Sequence, residues 1–405
     1  LLDSTLGIIA SLFCFIGFVS GSLAIISMRK PTKKSMMVAS QMAPIISTAA
    51  RELETVRVFN AGPFLNRVWL QCQEEFNHLK YFLVARQGLI QSIVQTSVAL
   101  TGVAIISVGA ILVVKGELDV GALIGANILA ARALQPIYRF TQLVESFVTA
   151  QESIQILGEI AMLPKESREG SAKRNYSGGL IFRDLAFSYP GSKSPLFESL
   201  SLEIKPGQAI LGFGANSTGK TTLARLIAGL LEPSRGEILG DGLNLRQVSP
   251  EWWRKQIIYL PQETVLINGT IQENICIANQ DMGEREAQQL VDRIGLREFV
   301  DTSKDGIRTA ITDNGRQLAV GTRRRLAFAR ALATDGPLVI LDEPTEGFDP
   351  AGTKLVNSVV TELSRQGRTI IAFTHDSTST KGTHLAIDLN EKPIPKIIKQ
   401  DGDVK

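Results

Sequence analysis

The stretch GANSTGKT, residues 214–221, stands between an apolar run, QAILGF, and an amphipathic one, TTLARLIAGLL. A G-x-x-x-x-G-K-[ST] string in that setting fixes a local fold: a strand, a tight glycine-bearing loop and a helix that starts at the loop's end. The loop's backbone N–H groups and the positive end of the helix form a cradle for phosphates. Lys220 then reaches the β- and γ-phosphates, and the hydroxyl of Thr221 is a ligand for Mg2+. Gly214, Ala215, Asn216, Ser217, Thr218, Gly219 and Thr222 complete the nucleotide-binding run. Ser217 stands where a glycine is often found. A chance glycine-rich turn explains the string poorly, because both flanks carry the required pattern.

A second apolar run, LVILDE, delivers two carboxylates at its end. Asp342 is placed to orient the water shell of a metal ion, and Glu343 to polarise an attacking water as general base. A strand that merely ends in acidic turn residues before Pro344 is the bland alternative, and the phosphate loop outweighs it. Gln262, in IIYLPQE, brings a neutral amide toward the metal and the water. His375, in IIAFTHD, ends the last strong strand, and ligands bind at such strand ends in α/β sheets. A lone histidine is more often structural, so its position alone raises the functional reading to even. Tyr189, in AFSYPG, offers an aromatic face to a purine, against a core tyrosine as the alternative.

From residue 180 onward, short β-branched runs alternate with helical ones, the pattern of a mostly parallel α/β sheet. Residues 164–179 (PKESREGSAKRNYSGG) are polar and aperiodic and read as a linker. Residues 392–405 are charged and contain proline, and are expected to fray. The first 160 residues are far more apolar, which raises the mean hydropathy of the chain to +0.11. Residues 6–28 contain no charge and are long enough to cross a bilayer core of about 30 Å. RKPTKK follows, a cationic cluster of the kind that stays on the cytoplasmic side. Residues 36–87 are mixed and helical in period, 88–114 are again uncharged, KGELDVG makes a polar turn, and another apolar helix starts at Ala122. At least three spans are expected, with the last helix running through residue 160.

A net charge of +3 argues against a nucleic-acid partner bound by bulk electrostatics. Cys14, Cys72 and Cys276 are scattered without metal-site or disulfide spacing. The chain opens on Leu1 and reads as a fragment.

GANSTGKTT, YLPQE, LAVGTRRRLAFARAL, LVILDEPTEGFD and FTH occur in the order of the ATP-binding cassette. The sequence resembles an ABC exporter half-transporter. Residues 1–163 would be a partial, N-terminally truncated α-helical transmembrane domain, 164–179 a linker, 180–391 an α/β P-loop NTPase cassette, and 392–405 a charged tail. INGTIQENI is similar to the exporter-type segment that faces the membrane domain. ELETVRVFNAGPFLNRVW and GALIGANILAARALQPI resemble the type I protein-secretion branch. The resemblance implies ATP and Mg2+ as cofactors, with Thr221, Gln262 and Asp342 toward the metal. It makes Tyr189 the adenine-stacking residue, Gln262 the Q-loop residue, Asp349 the D-loop aspartate and His375 the switch histidine. It places the protein in the inner membrane as a multi-pass protein with its cassette in the cytoplasm. Partners implied are a second half-transporter, identical or different, a periplasmic adaptor, an outer-membrane tunnel, the exported cargo and membrane lipid.

In this family each ATP lies between the phosphate loop of one cassette and the signature turn, usually LSGGQ, of the other. The matching residues here are Leu318, Ala319, Val320, Gly321 and Thr322. Ala319 lacks the hydroxyl that donates to the γ-phosphate. Such a bond contributes about 1.5–3 kcal/mol, so its loss slows turnover about tenfold to a hundredfold. Val320 puts a branched side chain where a glycine allows close approach, and is expected to disfavour the required dihedral angles. Asp313 and Asn314 replace a Gly-Glu pair. The alteration weakens the partner's nucleotide site, not the one built on Lys220. Three readings follow: an ATP-driven exporter of protein or peptide cargo, or of lipid or small molecules; a weakly or non-hydrolysing subunit of a heterodimer; and a soluble cassette with an apolar tether.

Overall fold

The structure of the protein is a computed structural model that describes residues 4–163, 165–166, 170, 175–192, 194–376 and 382–399. Contacts divide the chain into two compact units, Leu1–Pro164 and Lys165–Lys405.

The first unit is helical: α1 (Ser4–Arg51), α2 (Leu53–Val58), α3 (Gly62–Val114), α4 (Val120–Gln142) and α5 (Val144–Ala161). The uncharged run 6–28 lies inside α1, which continues without a break through Pro31 and Pro44. α1 ends where Glu52 leaves helical geometry, and Asn60, at φ +49°, leads the chain into α3. At about 1.5 Å per residue, α3 extends roughly 80 Å and far exceeds a hydrocarbon core of about 30 Å. Its uncharged second half matches such a core in length, and its first half carries the charges Arg67, Glu74, Glu75, Lys80 and Arg86. Among the described residues α3 is the one helix long and apolar enough to cross a membrane; Ser4–Ser20 and Val120–Ala133 are shorter apolar stretches. Of the three spans expected from the sequence, this criterion holds for 88–114.

Within the unit, α1 packs along α3, and α3 along α4. Met28, Leu83 and Val148 form one buried cluster, and Leu6, Ile105, Ala126 and Ala130 another. Glu152 is almost fully buried and is answered by Arg29 at 3.0 Å and Lys33 at 3.5 Å. A buried carboxylate without such partners would be strongly destabilising. Ile8, Phe15, Ile26, Val103 and Ile111 remain exposed on the unit's surface.

The second unit is an α/β fold. Its order is β1 (Leu180–Phe187), β2 (Phe197–Ile204), β3 (Ala209–Phe213), α6 (Lys220–Ile227), β4 (Arg235–Gly240), β5 (Leu243–Asn244), α7 (Pro250–Arg254), β6 (Ile257–Leu260), β7 (Gly269–Thr270), α8 (Ile271–Cys276), α9 (Glu284–Arg293) and α10 (Arg297–Thr302). There follow β8 (Ala310–Ile311), α11 (Val320–Leu332), β9 (Leu338–Asp342), α12 (Pro350–Arg365), β10 (Thr369–Thr374), β11 (Leu385–Asp388) and β12 (Lys396–Lys399). The main sheet has the order β12-β11-β3-β10-β9-β6. All its pairs are parallel except the β11–β12 edge. Parallel strands covered on both faces read as continuous apolar runs, and β9, LVILD, is buried at every position. A second, antiparallel sheet, β2-β1-β4-β5, contributes Phe182 and Phe197 to a core shared with Trp253 of α7, α6 and Phe373 of β10. The core on the other side of the main sheet gathers Leu326 and Phe328 of α11 with Val339 and Leu341 of β9.

The fraying expected of the tail is corrected for 392–399. Lys396–Lys399 pairs as the antiparallel edge strand, with Ile397 opposite Ile387 and Ile398 opposite Ala386. The carbonyl of Pro393 also accepts from the Glu198 N–H at 2.7 Å. Residues 400–405 lie outside the described residues, as do 164, 167–169 and 171–174 of the linker. The described linker residues are anchored: Glu166 pairs with Arg254, and the N–H groups of Ser177 and Gly179 donate to Asp241.

Candidate functional site

The carboxyl ends of four parallel strands converge on one region, the place where open α/β sheets bind ligands. β3 leads into the 214–219 loop, β6 toward Gln262, β9 into Asp342 and Glu343, and β10 into His375. These residues meet in a cleft of about 790 Å³ lined by the loop, Tyr189, Gln262, Glu343 and His375.

The loop's shape follows from its small residues. A Cβ on Gly214 would stand 2.6 Å from the Thr218 hydroxyl. Gly219, at φ +107°, would press one to 2.9 Å from Leu196. Ser217 adopts φ +65°, the left-handed region natural to the glycine it replaces. The Thr218 hydroxyl donates to the Ala215 carbonyl at 2.9 Å. Lys220 begins α6 and is buried, its ammonium folded back onto the carbonyls of Gly214 (2.6 Å) and Ala215 (3.2 Å). It also faces Glu343 at 3.3 Å. The hydroxyls of Tyr189 and Thr222 share a hydrogen bond of 2.9 Å, while the Tyr189 ring stands edge-on to Phe187 and is 43% exposed. The half-exposed ring forms part of the cleft wall.

Glu343 is buried, its carboxylate held between Lys220 and the Nδ1 of His375 at 3.1 Å. His375 itself is 70% exposed. Asp342 is fully buried, and among the described residues neither carboxylate oxygen has a hydrogen-bond partner of good geometry. Burial pushes its carboxyl up, opposed by the Thr221 hydroxyl and the Lys220 ammonium. The Thr221 hydroxyl and the Gln262 amide oxygen lie 3.4 Å apart, and the Gln262 NH2 donates to Glu346 at 3.1 Å. A buried anion with unmet oxygens, beside a hydroxyl and an amide, is a donor set that fits a hard divalent cation.

The altered turn lies at the start of α11. Ala319 is the N-cap and supplies no side-chain acceptor, while Val320 is already the first helical residue. The expected conflict of Val320 with the required dihedral angles is therefore corrected, since the right-handed helical angles it adopts are sterically open to valine. Its side chain is instead exposed, with one methyl 3.2 Å from where a Cβ on Gly347 would stand. Leu318 is partly buried against the α11 core. The first intrahelical bond runs from Arg323 N–H to Ala319, so the N–H groups of Val320, Gly321 and Thr322 carry no intrahelical acceptor. Asp313 and Asn314 both adopt left-handed angles ahead of Gly315. Asp349 caps α12 through the Gly352 N–H at 2.9 Å and pairs with Arg325 at 3.3 Å.

Four site residues escape a reading of the sequence. Asn390 accepts from the Ala215 N–H at 2.8 Å, and Lys392 donates to the Thr218 carbonyl at 2.6 Å and to that of Leu196. Leu196 and Glu346 line the cleft. Asn390 and Lys392 lie about 175 positions from the loop they hold, and no local pattern announces that pairing.

Fold and site together define an ATP-binding cassette. The ABC transporter family description matches residues 197–346, a domain that binds ATP. The order of a helical unit followed by a cassette is that of ABC exporter half-transporters, and the chain is similar to ATP-binding proteins of the type I protein-secretion branch. It is 28% identical over 402 residues to the alpha-hemolysin translocation ATP-binding protein HlyB of Escherichia coli, a match covering 98% of this chain and 55% of that protein. It is 27% identical over 391 residues to the toxin RTX-I translocation ATP-binding protein of Actinobacillus pleuropneumoniae, covering 96% and 55%. The chain thus spans about half the length of the curated relatives it matches. A bacterial Atm1-family ABC exporter with ATP bound shares the fold, with a TM-score of 0.80 at 21% identity over 94% of this chain and 67% of that one.

Proposed function

We propose that this chain drives export of protein cargo across the cytoplasmic membrane by hydrolysing ATP, as one half of a paired exporter. The observation that carries the proposal is the convergence of Lys220, Thr221, Gln262, Glu343 and His375 in one cleft. The named relatives translocate protein toxins, which supports protein cargo. The exposed apolar side chains of the helical unit suit lipid and a second helical unit.

In this reading the purine stacks on Tyr189, and the loop N–H groups with the α6 N-terminus receive the phosphates. Lys220 exchanges Glu343 for a phosphate oxygen, a more highly charged partner. Released from Lys220, Glu343 accepts the proton of the attacking water, and His375 holds its carboxylate in position. Thr221, Asp342 and Gln262 are the residues that would hold Mg2+, which supplies charge neutralisation on the phosphate oxygens. Val320, Gly321 and Thr322 offer free N–H groups to the nucleotide of the opposing cassette, and Asp349 approaches that same junction.

A second reading is favoured by the missing side-chain donor at Ala319. Here the chain pairs with a different half-transporter that carries an intact turn, leaving one fast site and one slow one. A periplasmic adaptor and an outer-membrane tunnel would extend the path beyond the inner membrane. The test is phosphate release by the purified protein in lipid, alone and with any half-transporter that co-purifies. Mg2+-dependent release by the chain alone is expected; none in either preparation would overturn the ATPase proposal, and release only with a partner would establish the second reading.

A further inference from the structure

Arg324 is 4% exposed, on the first turns of α11 and five positions beyond the cap Ala319. A guanidinium buried this deeply needs acceptors for a fork of donors. Two are backbone carbonyls of the site itself: Nη1 donates to Gln262 at 2.6 Å, and Nη2 to Glu343 at 2.5 Å. Its Cζ lies 5.9 Å from the centroid of the Phe348 ring, and its Cδ closes on Gly347, at φ +75°. Nε finds no acceptor among the described residues, so the two carbonyls are the hydrogen-bond partners that hold the guanidinium.

The geometry matters because Glu343 sits at φ +49°. A β- and γ-bearing side chain avoids that region unless its surroundings over-determine it. Two backbone bonds and one side chain do so here. The Glu343 N–H donates to Phe373 at 2.9 Å, its carbonyl accepts from Glu346 N–H at 3.2 Å, and Arg324 takes the same carbonyl from the other side. The left-handed turn swings the Glu343 carboxylate back over Lys220 and toward His375. The same guanidinium holds the backbone of Gln262, whose amide faces Thr221.

We infer that Arg324 is a positioning residue for ATP hydrolysis, one cation on α11 that fixes the backbone of both the general base Glu343 and the metal-facing Gln262. The inference rests on the ATPase reading above. It also gives the altered turn a mechanical connection to this chain's own site. A displacement of the α11 start, where Val320, Gly321 and Thr322 present their N–H groups, reaches Glu343 and Gln262 through one side chain. The charges that face the guanidinium are Asp342, Glu343 and Glu346, all on or beside the β9 end, so the cation also balances the acidic edge of the site.

The test compares the full chain in lipid with Arg324→Met, which keeps the apolar stem and removes the donors, and Arg324→Lys, which restores charge but not the fork. Turnover should fall about tenfold or more in Arg324→Met with KM for ATP within about twofold of the parent, and Arg324→Lys should recover part of it. A parallel loss of turnover and ATP affinity, or no recovery in Arg324→Lys, would overturn the positioning role. Backbone hydrogen exchange supplies a readout that needs no catalysis. Arg324→Met should speed exchange at 343–348 and near 262 while the 214–222 loop keeps its protection. If the parent chain hydrolyses nothing, the ATPase reading fails, and the exchange pattern alone decides: unchanged exchange at both segments overturns the inference.

Discussion

The Lys220–Glu343 half-site and the Leu318–Thr322 turn belong to one cassette but are built on different chemistry. The half-site depends on side chains interlocked at short range: Lys220 on two carbonyls and Glu343, and Glu343 on His375. The turn depends mostly on backbone, and there the loss of one hydroxyl at Ala319 leaves the helix start and its N–H groups intact. A site made of backbone tolerates substitution that a site made of side chains does not, because any residue supplies the same N–H group.

The sharpest way to break that contrast is Glu343→Gln, which should lower phosphate release about 10²- to 10⁴-fold by removing the general base. Retained turnover would transfer the role to another group. Restoring the turn with Ala319→Ser and Val320→Gly should act in the opposite direction and more weakly, raising turnover about tenfold in a self-paired protein. Unchanged steady-state rates would show that the turn does not limit the reaction.

Asp342→Asn probes the half-site through stability. Burial raises the Asp342 carboxyl in the folded cassette, while in the unfolded chain it titrates in its ordinary range. The folded state therefore holds more protons between those two values, and stability of the ligand-free protein falls as pH rises through that window. Asn carries no charge, so the variant should melt higher at neutral pH, about 2–4 °C for each kcal/mol recovered. It should also lose the extra stabilisation that Mg2+ adds to ATP binding. A lower melting temperature without ligand would mean that the Asp342 charge is already compensated. The smallest effect belongs to Ser217→Gly. Relieving φ +65° is worth about 1 kcal/mol, partly offset by the greater freedom of glycine in the unfolded chain. Chemical denaturation would resolve it, and a net loss of stability would show that the Ser217 side chain contributes more than the strain costs.

The phosphate loop, the LVILDE strand end and the alternation of strand and helix were legible because each is carried by residues adjacent in sequence. The backbone of Val320 was not. Its side chain type argued for strain, and the helix that begins at that residue removed it. The 392–399 segment misled for a related reason. Lys and Pro look like a tail, but Ile397 and Ile398 are useful only once β11 lies beside them.

By itself the sequence determined which chemistry this chain carries: a lysine at a helix start, two carboxylates at a strand end, and a signature turn without its serine. Only the tertiary structure decided how those groups are held. Asn390 and Lys392 brace a loop nearly the whole cassette away, and Arg324 ties α11 to the carbonyls of Gln262 and Glu343. Each such bond runs from a side chain to a backbone atom of a kind that every residue possesses. Sequence patterns record side chains, so contacts of this kind become visible only when the chain has closed on itself.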